Sequence, residues 1–151
     1  MRKIIVTVIV LILIGIQFIP VQRDNPSVSA DVQSTADVKA ILLRACYDCH
    51  SNATVWPWYG YVAPVSWLLA THVKEGRAHL NFSEWENYPP QRRARLAEEI
   101  WQEIEKGEMP LKAYAIIHKD AILNETDKEI VKTWSESFKE DGGEGEISDA
   151  E

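Results

Sequence analysis

Cys46, Cys49 and His50 form a single C-x-x-C-H, and they include both cysteines of this 151-residue chain. Two thiols at that spacing can each add to one vinyl group of a porphyrin, while the adjacent imidazole reaches the iron from one face. The leading chemical reading is one covalently bound haem c, with His50 as an iron ligand. A C-x-x-C can also be a dithiol redox centre, but that reading expects a βαβ setting, and no alternating Val/Ile-rich strand runs flank it here. A structural zinc site would need four ligands, yet none of His72, His79 and His118 lies three to five residues from another histidine. A plain disulfide remains open, although it gives His50 no task.

What fills the second axial position decides the function of such an iron. Met109 is the only methionine besides the initiator, and it sits in Gly107-Glu108-Met109-Pro110. Glycine ends a helix there and proline holds the following backbone rigid, which suits the presentation of one side chain at a fixed place. Met109 is the expected sixth ligand, ahead of His118, His72 and His79; a thioether favours ferrous iron and raises the potential. The aromatic residues between Trp56 and Trp85, among them Trp58, Tyr59, Tyr61, Trp67 and Phe82, are candidates to wall the porphyrin with flat apolar surface. Arg77 and Asn81 are candidates to hold the haem propionates.

Helices must position these groups, since no stretch reads as a sheet. Val38, Ile41, Leu42 and Ala45 fall at i, i+3, i+4 and i+7, so a first helix is predicted from Ala36 into Cys46, capped by Ser34 and Asp37. A second is predicted from Pro64 to Glu75, with Gly76 as its stop. Leu96, Ile100 and Ile104 mark a third over Gln91 to Lys106, ended by Gly107. Ile130, Val131, Trp134 and Phe138 mark a fourth, opened by a capping box from Asn124 and Asp127.

Arg2 and Lys3 precede an apolar run from Ile4 to Ile19. As a helix this run would be about 24 Å long, adequate for a signal sequence or a thin-membrane anchor, and its flanking charges direct the remainder outward. That orientation agrees with covalent haem, which c-type cytochromes acquire outside the cytoplasm. Residues 1–20 are read as a retained anchor, with a cleaved signal peptide as the alternative because Val28-Ser29-Ala30 has the small residues that a signal peptidase accepts. Residues 21–34 read as a tether, 35–138 as one haem-binding domain, and 139–151 as an acidic disordered tail. One small core plus one cofactor is the economical organisation for a chain of this length.

The chain carries 16 Lys plus Arg against 23 Asp plus Glu, a net charge of −7. That sign repels phosphate backbones, so nucleic acid is not an expected partner. The last eleven residues hold five acids and no base, a composition that stays solvated. Neither a phosphate-binding glycine loop nor a Ser-His-Asp set is present, which leaves hydrolase and nucleotide chemistry without support.

Cys46-Tyr47-Asp48-Cys49-His50-Ser51-Asn52, Trp56-Pro57-Trp58-Tyr59, Ala63-Pro64-Val65-Ser66-Trp67, Gly76-Arg77 and Leu80-Asn81-Phe82-Ser83-Glu84-Trp85 succeed one another within forty residues. Together with Gly107-Glu108-Met109-Pro110 and the closing Trp134 helix, this series closely resembles the bacterial haem-binding domain family, whose members are small, membrane-anchored or exported single-haem proteins. The order also resembles a monohaem cytochrome c. The resemblance implies an all-α, cytochrome c-like domain around one covalent haem and an electron-transfer role with a redox partner protein, on the periplasmic side of the bacterial inner membrane. An electron carrier is expected rather than an enzyme; the alternative is an open distal site acting as a small peroxidase or as a gas or redox sensor.

Overall fold

Helical segments alternate with Pro- and Gly-bounded turns in the computed structural model, which describes residues 1–139 and holds seven α-helices and no strand among them. The all-α expectation is met. The acidic tail, from residue 140 onward, lies outside the described residues.

Helix α1 spans Arg2–Gly15 and runs into a 3₁₀ turn at Ile16–Phe18. It is 14 residues long, about 21 Å, and among the described residues no helix is long and apolar enough to cross a membrane. The full-length spanning helix expected over residues 1–20 is therefore not formed. Ile19 is already extended, as the residue before a proline prefers.

Residues 21–34, expected as a tether, lie along the domain as a strap. The amides of Ser29 and Ala30 donate to the Ser83 carbonyl, Val32 donates to the Phe82 carbonyl, and Glu86 returns a bond to Ala30. Asp31 at the end of the strap accepts from the hydroxyl of Tyr47 at 2.7 Å and pairs with Lys39.

Helix α2 (Ala36–Ala45) buries Val38, Ile41, Leu42 and Ala45, the stripe its periodicity predicts. Its N-cap is Thr35 without a side-chain bond, so the cap expected from Ser34 and Asp37 does not form. One further turn, α3 (Tyr47–His50), carries the cysteine motif. Helix α4 (Val65–His79) continues through Gly76, which is not its stop. Helix α5 (Pro90–Glu105) begins on a proline at N1, and Gly107 comes after it with a φ of 71° that glycine alone adopts freely. The short α6 (Lys112–Ile117) has no counterpart in the periodicity analysis. Helix α7 (Glu125–Glu136) opens with the predicted capping box between Asn124 and Asp127.

Helix α7 packs across α5 and α2, enclosing a core in which Leu42, Phe82, Trp85, Leu96 and Val131 are almost wholly buried. Trp85 meets Trp134 and Phe138 with ring centroids 5.5 and 5.4 Å apart. Arg44, at the end of α2, pairs with Asp127 at 2.6 Å and locks α2 to the start of α7. Burial pushes the Asp127 carboxyl up, but the bonds from Arg44 and the Asn124 amide outweigh it and hold the group below its ordinary 3.8. A carboxylate with a depressed folded pKa contributes stability that is full above the ordinary value and is lost as pH falls through the lowered one. The Asp127→Asn protein should therefore be the less stable at neutral pH and lose less stability than the parent on acidification below about pH 4, as read from urea midpoints across that range.

Candidate functional site

The cysteine motif owes its shape to its two middle residues. Tyr47 is buried, stacks on Phe82 at 5.4 Å, and anchors the motif to the strap through Asp31. On the other side, Asp48 accepts from the Val55 amide at 2.9 Å and from the Tyr114 hydroxyl at 2.7 Å, which ties α6 to the motif. Behind the motif lies a buried polar ring. Asn52 receives from Asn81 at 2.9 Å, Asn81 receives from the Ser83 amide at 3.0 Å, and the Ser83 hydroxyl receives from the Asn52 amide at 2.9 Å. Every member of this ring is satisfied, so it rigidifies the loop behind the motif instead of penalising the fold.

Cys46 and Cys49 are both free thiols. Burial, then the neighbouring Cys49, pushes Cys46 up to about 12 despite Arg44. Burial and Asp48 push Cys49 up to about 11 against the pull of Arg77. Thiolate is the reactive and metal-binding form, and burial disfavours it at both positions. No group of three or more metal-capable side chains converges among the described residues, and a zinc centre has no ligand set there.

The Nδ1 of His50 lies 3.1 Å from the Gly76 carbonyl and 3.3 Å from that of Leu80. Carbonyls only accept, so Nδ1 carries the proton and Nε2 keeps its lone pair for a metal. Burial lowers the pKa of the ring, against the raising effect of those two bonds, and the neutral imidazole is the ligand form. Helix α4 can approach this closely because residue 76 is glycine. A Cβ there would stand 2.5 Å from the Cys49 carbonyl oxygen, well inside contact distance.

His50 and Cys46 line a cleft of about 640 Å³, its open mouth included, between α2, α4, α5 and the Met109 loop. Its apolar walls are Ala45, Leu80, Phe82, Leu96, Ile100, Ile104 and Leu123, and His79, Glu99 and Glu103 also border it. A second cavity of about 900 Å³ continues from it, sharing Cys46, His50, His79 and Met109 and adding Cys49, His72, Gly76 and Tyr114. Met109 therefore faces the same continuous space as the motif, although the two are far apart in the chain. An apolar cleft with both thiols, the oriented imidazole of His50 with its Nε2 free, and one thioether on its walls fits a porphyrin and its iron.

A model of the haem-binding domain family matches residues 11–137. The chain belongs to the haem-binding domain family. The match takes in the strap as well as the helical domain, and it supports haem binding by this chain. No curated protein and no solved structure gives a significant match.

Within this haem-binding domain, several residues expected at the haem lie elsewhere. Trp56, Trp67, Arg77 and Asn81 line a different cavity, behind α4 and under the strap, which shares no residue with the cleft. Arg77 spends its donors on the Ser51 and Asp24 carbonyls, Asn25 and Thr54, at 2.7 to 2.9 Å; it braces the motif loop against the strap and is not free to hold a propionate. Asn81 belongs to the polar ring. Trp58 is 78% exposed, and Tyr59 bonds His118 at 2.7 Å. His118 is outside the cleft lining, whereas His72 and His79 are on it. Leu96, Ile100 and Ile104 are legible in the sequence as a helix stripe but not as a wall of the cleft, because periodicity identifies a buried face without saying what covers it.

Replacing Gly76 by alanine should separate α4 from the motif and cost about 1–3 kcal/mol, read as a lower unfolding midpoint with altered near-ultraviolet dichroism. Arg77→Ala should cost about 1.5–3 kcal/mol through its lost charged hydrogen bonds, with an unchanged urea m-value showing that the loss lies in stability alone.

Proposed function

We propose that this chain is a monohaem c-type electron carrier working outside the cytoplasm, attached to the membrane through α1. The supporting observation is that Cys46, Cys49, His50 and Met109 border one continuous apolar space, while His50 is oriented with Nε2 free. In this reading Cys46 and Cys49 would hold the haem by thioether bonds, and the His50 imidazole and the Met109 thioether would bind its iron. The bound group supplies one-electron iron chemistry.

The protein's contribution is orientation and environment. The Gly76 and Leu80 carbonyls fix the ring of His50 and raise its donor strength. Leu80, Phe82, Leu96, Ile100 and Ile104 keep water away and make added positive charge at the iron costly, which favours a raised potential. With both His50 and Met109 bound to the iron there would be no room for substrate, and the domain would serve as a carrier that exchanges electrons with a redox partner protein.

Protein matured with a cytochrome c assembly system should keep its haem through denaturing electrophoresis, and Cys46→Ser/Cys49→Ser should not. Its reduced visible spectrum should be low-spin and indifferent to carbon monoxide, whereas Met109→Ala should become high-spin and bind the gas. Ready gas binding by the unsubstituted protein would instead indicate an open distal site and a peroxidase or sensor role.

A further inference from the structure

Folded domains rarely leave contiguous large apolar side chains in water without a use for them. Here Trp58 is 78%, Tyr61 58% and Leu68 58% exposed, and Val62 and Val65 are each 45% exposed. Trp58 and Tyr61 lie on the 3₁₀ turn Trp58–Tyr61, Val62 follows in extended backbone, and Val65 and Leu68 fall three apart on the opening turn of α4, an apolar stripe of exposed side chains along residues 58–68. None of them lines the haem cleft.

The stripe adjoins the end of α1. The Gln17 side chain donates to the Ala63 carbonyl at 3.1 Å and accepts from the Ala63 amide at 2.9 Å. This two-point clamp sets the exit of α1 beside the stripe, with exposed Phe18 and Ile19 continuing the apolar surface. Arg23 adds a bond to the Gly60 carbonyl at 3.3 Å and lies 4.5 Å over the Tyr61 ring.

Helix α1 is apolar on every side from Ile4 to Ile14, and its one hydroxyl, on Thr7, is satisfied by the Lys3 carbonyl. It has no polar face on which to float in the interface, so as an anchor it would enter lipid end-on without spanning the full hydrocarbon core. Its 14 residues reach about 21 Å against a hydrocarbon core of about 30 Å. A helix that short draws its flanking segment toward the bilayer. With the clamp two residues beyond the end of α1, the surface drawn down is the stripe.

We propose that the face bearing Trp58, Tyr61, Val62, Val65 and Leu68 lies on the phospholipid surface, seating the haem domain on the membrane instead of hanging it from a flexible tether. This rests on the reading of α1 as a retained anchor. Tryptophan and tyrosine rings favour the headgroup level, the aliphatic side chains reach the acyl boundary, and the Arg23 guanidinium is placed to meet lipid phosphate.

The full haem-loaded chain, reconstituted into phosphatidylcholine/phosphatidylglycerol vesicles, can be footprinted with hydroxyl radicals and read residue by residue by mass spectrometry, with the alkali-washed vesicle pellet reporting the anchor. The expected result is protein in the pellet and several-fold slower oxidation of Trp58, Tyr61 and Leu68 than their exposure predicts, with Leu43 on α2 at its full rate. Protein in the pellet with the stripe oxidised at full rate would overturn the seating and leave the anchor standing. Protein released by the wash would overturn both. Protection that grows with the protein-to-lipid ratio would belong to contacts between copies and would also overturn the lipid assignment.

Discussion

The site depends on how closely α4 passes the cysteine motif. With hydrogen as the only side chain at position 76, the helix comes near enough for its own backbone carbonyl to accept the proton of His50. A peptide carbonyl held in a helix has no freedom to rotate away, so the imidazole is oriented by the least adjustable group available. Displacing the helix by even a side chain's radius would free the ring and open the wall formed by Leu80, which directly succeeds α4. One close contact therefore fixes the imidazole and part of its apolar surroundings together.

A second constraint lies behind the motif. Asn52, Asn81 and Ser83 satisfy one another in a closed ring, and Arg77 collects carbonyls from the loop and the strap. These groups would be costly in an apolar core if any one were left unpaired. They set the loop geometry without touching the cleft, and the cleft stays apolar because the polar work is done on the other side of α4.

This division explains which parts can be read from the sequence. The grouping of Cys46, Cys49 and His50 is legible from their spacing alone, and the structure sets all three on the walls of the cleft and the cavity that continues it. The α2, α5 and α7 stripes and the Asn124–Asp127 box follow from local periodicity and capping; the α2 stripe and the box are present in full, whereas Ile100 and Ile130 are only half-buried and Phe138 lies beyond the end of α7. Gly76 misleads as a helix stop because glycine serves both to end helices and to admit close neighbours, and only the tertiary contact separates the two. Arg77 and Asn81 read as haem residues because they lie near the motif in sequence. A single step around a helix, about 100°, turns Arg77 away from the face that Gly76 presents. Met109 reaches the cleft through a loop whose path no spacing rule encodes, and α6 is too short for a periodic signal.

The strap has a consequence for the order in which the chain acquires its shape. Asp24 meets Arg77, 53 residues further along, and Ala30 meets Ser83. As the polypeptide is made from its N-terminus, the strap emerges early but has no docking surface until the segment beyond α4 has emerged as well. The loop behind the motif, whose Asn52 holds the Ser27 carbonyl, cannot close before then. Both thiols thus pass through an interval of synthesis in open chain, before burial takes them out of reach.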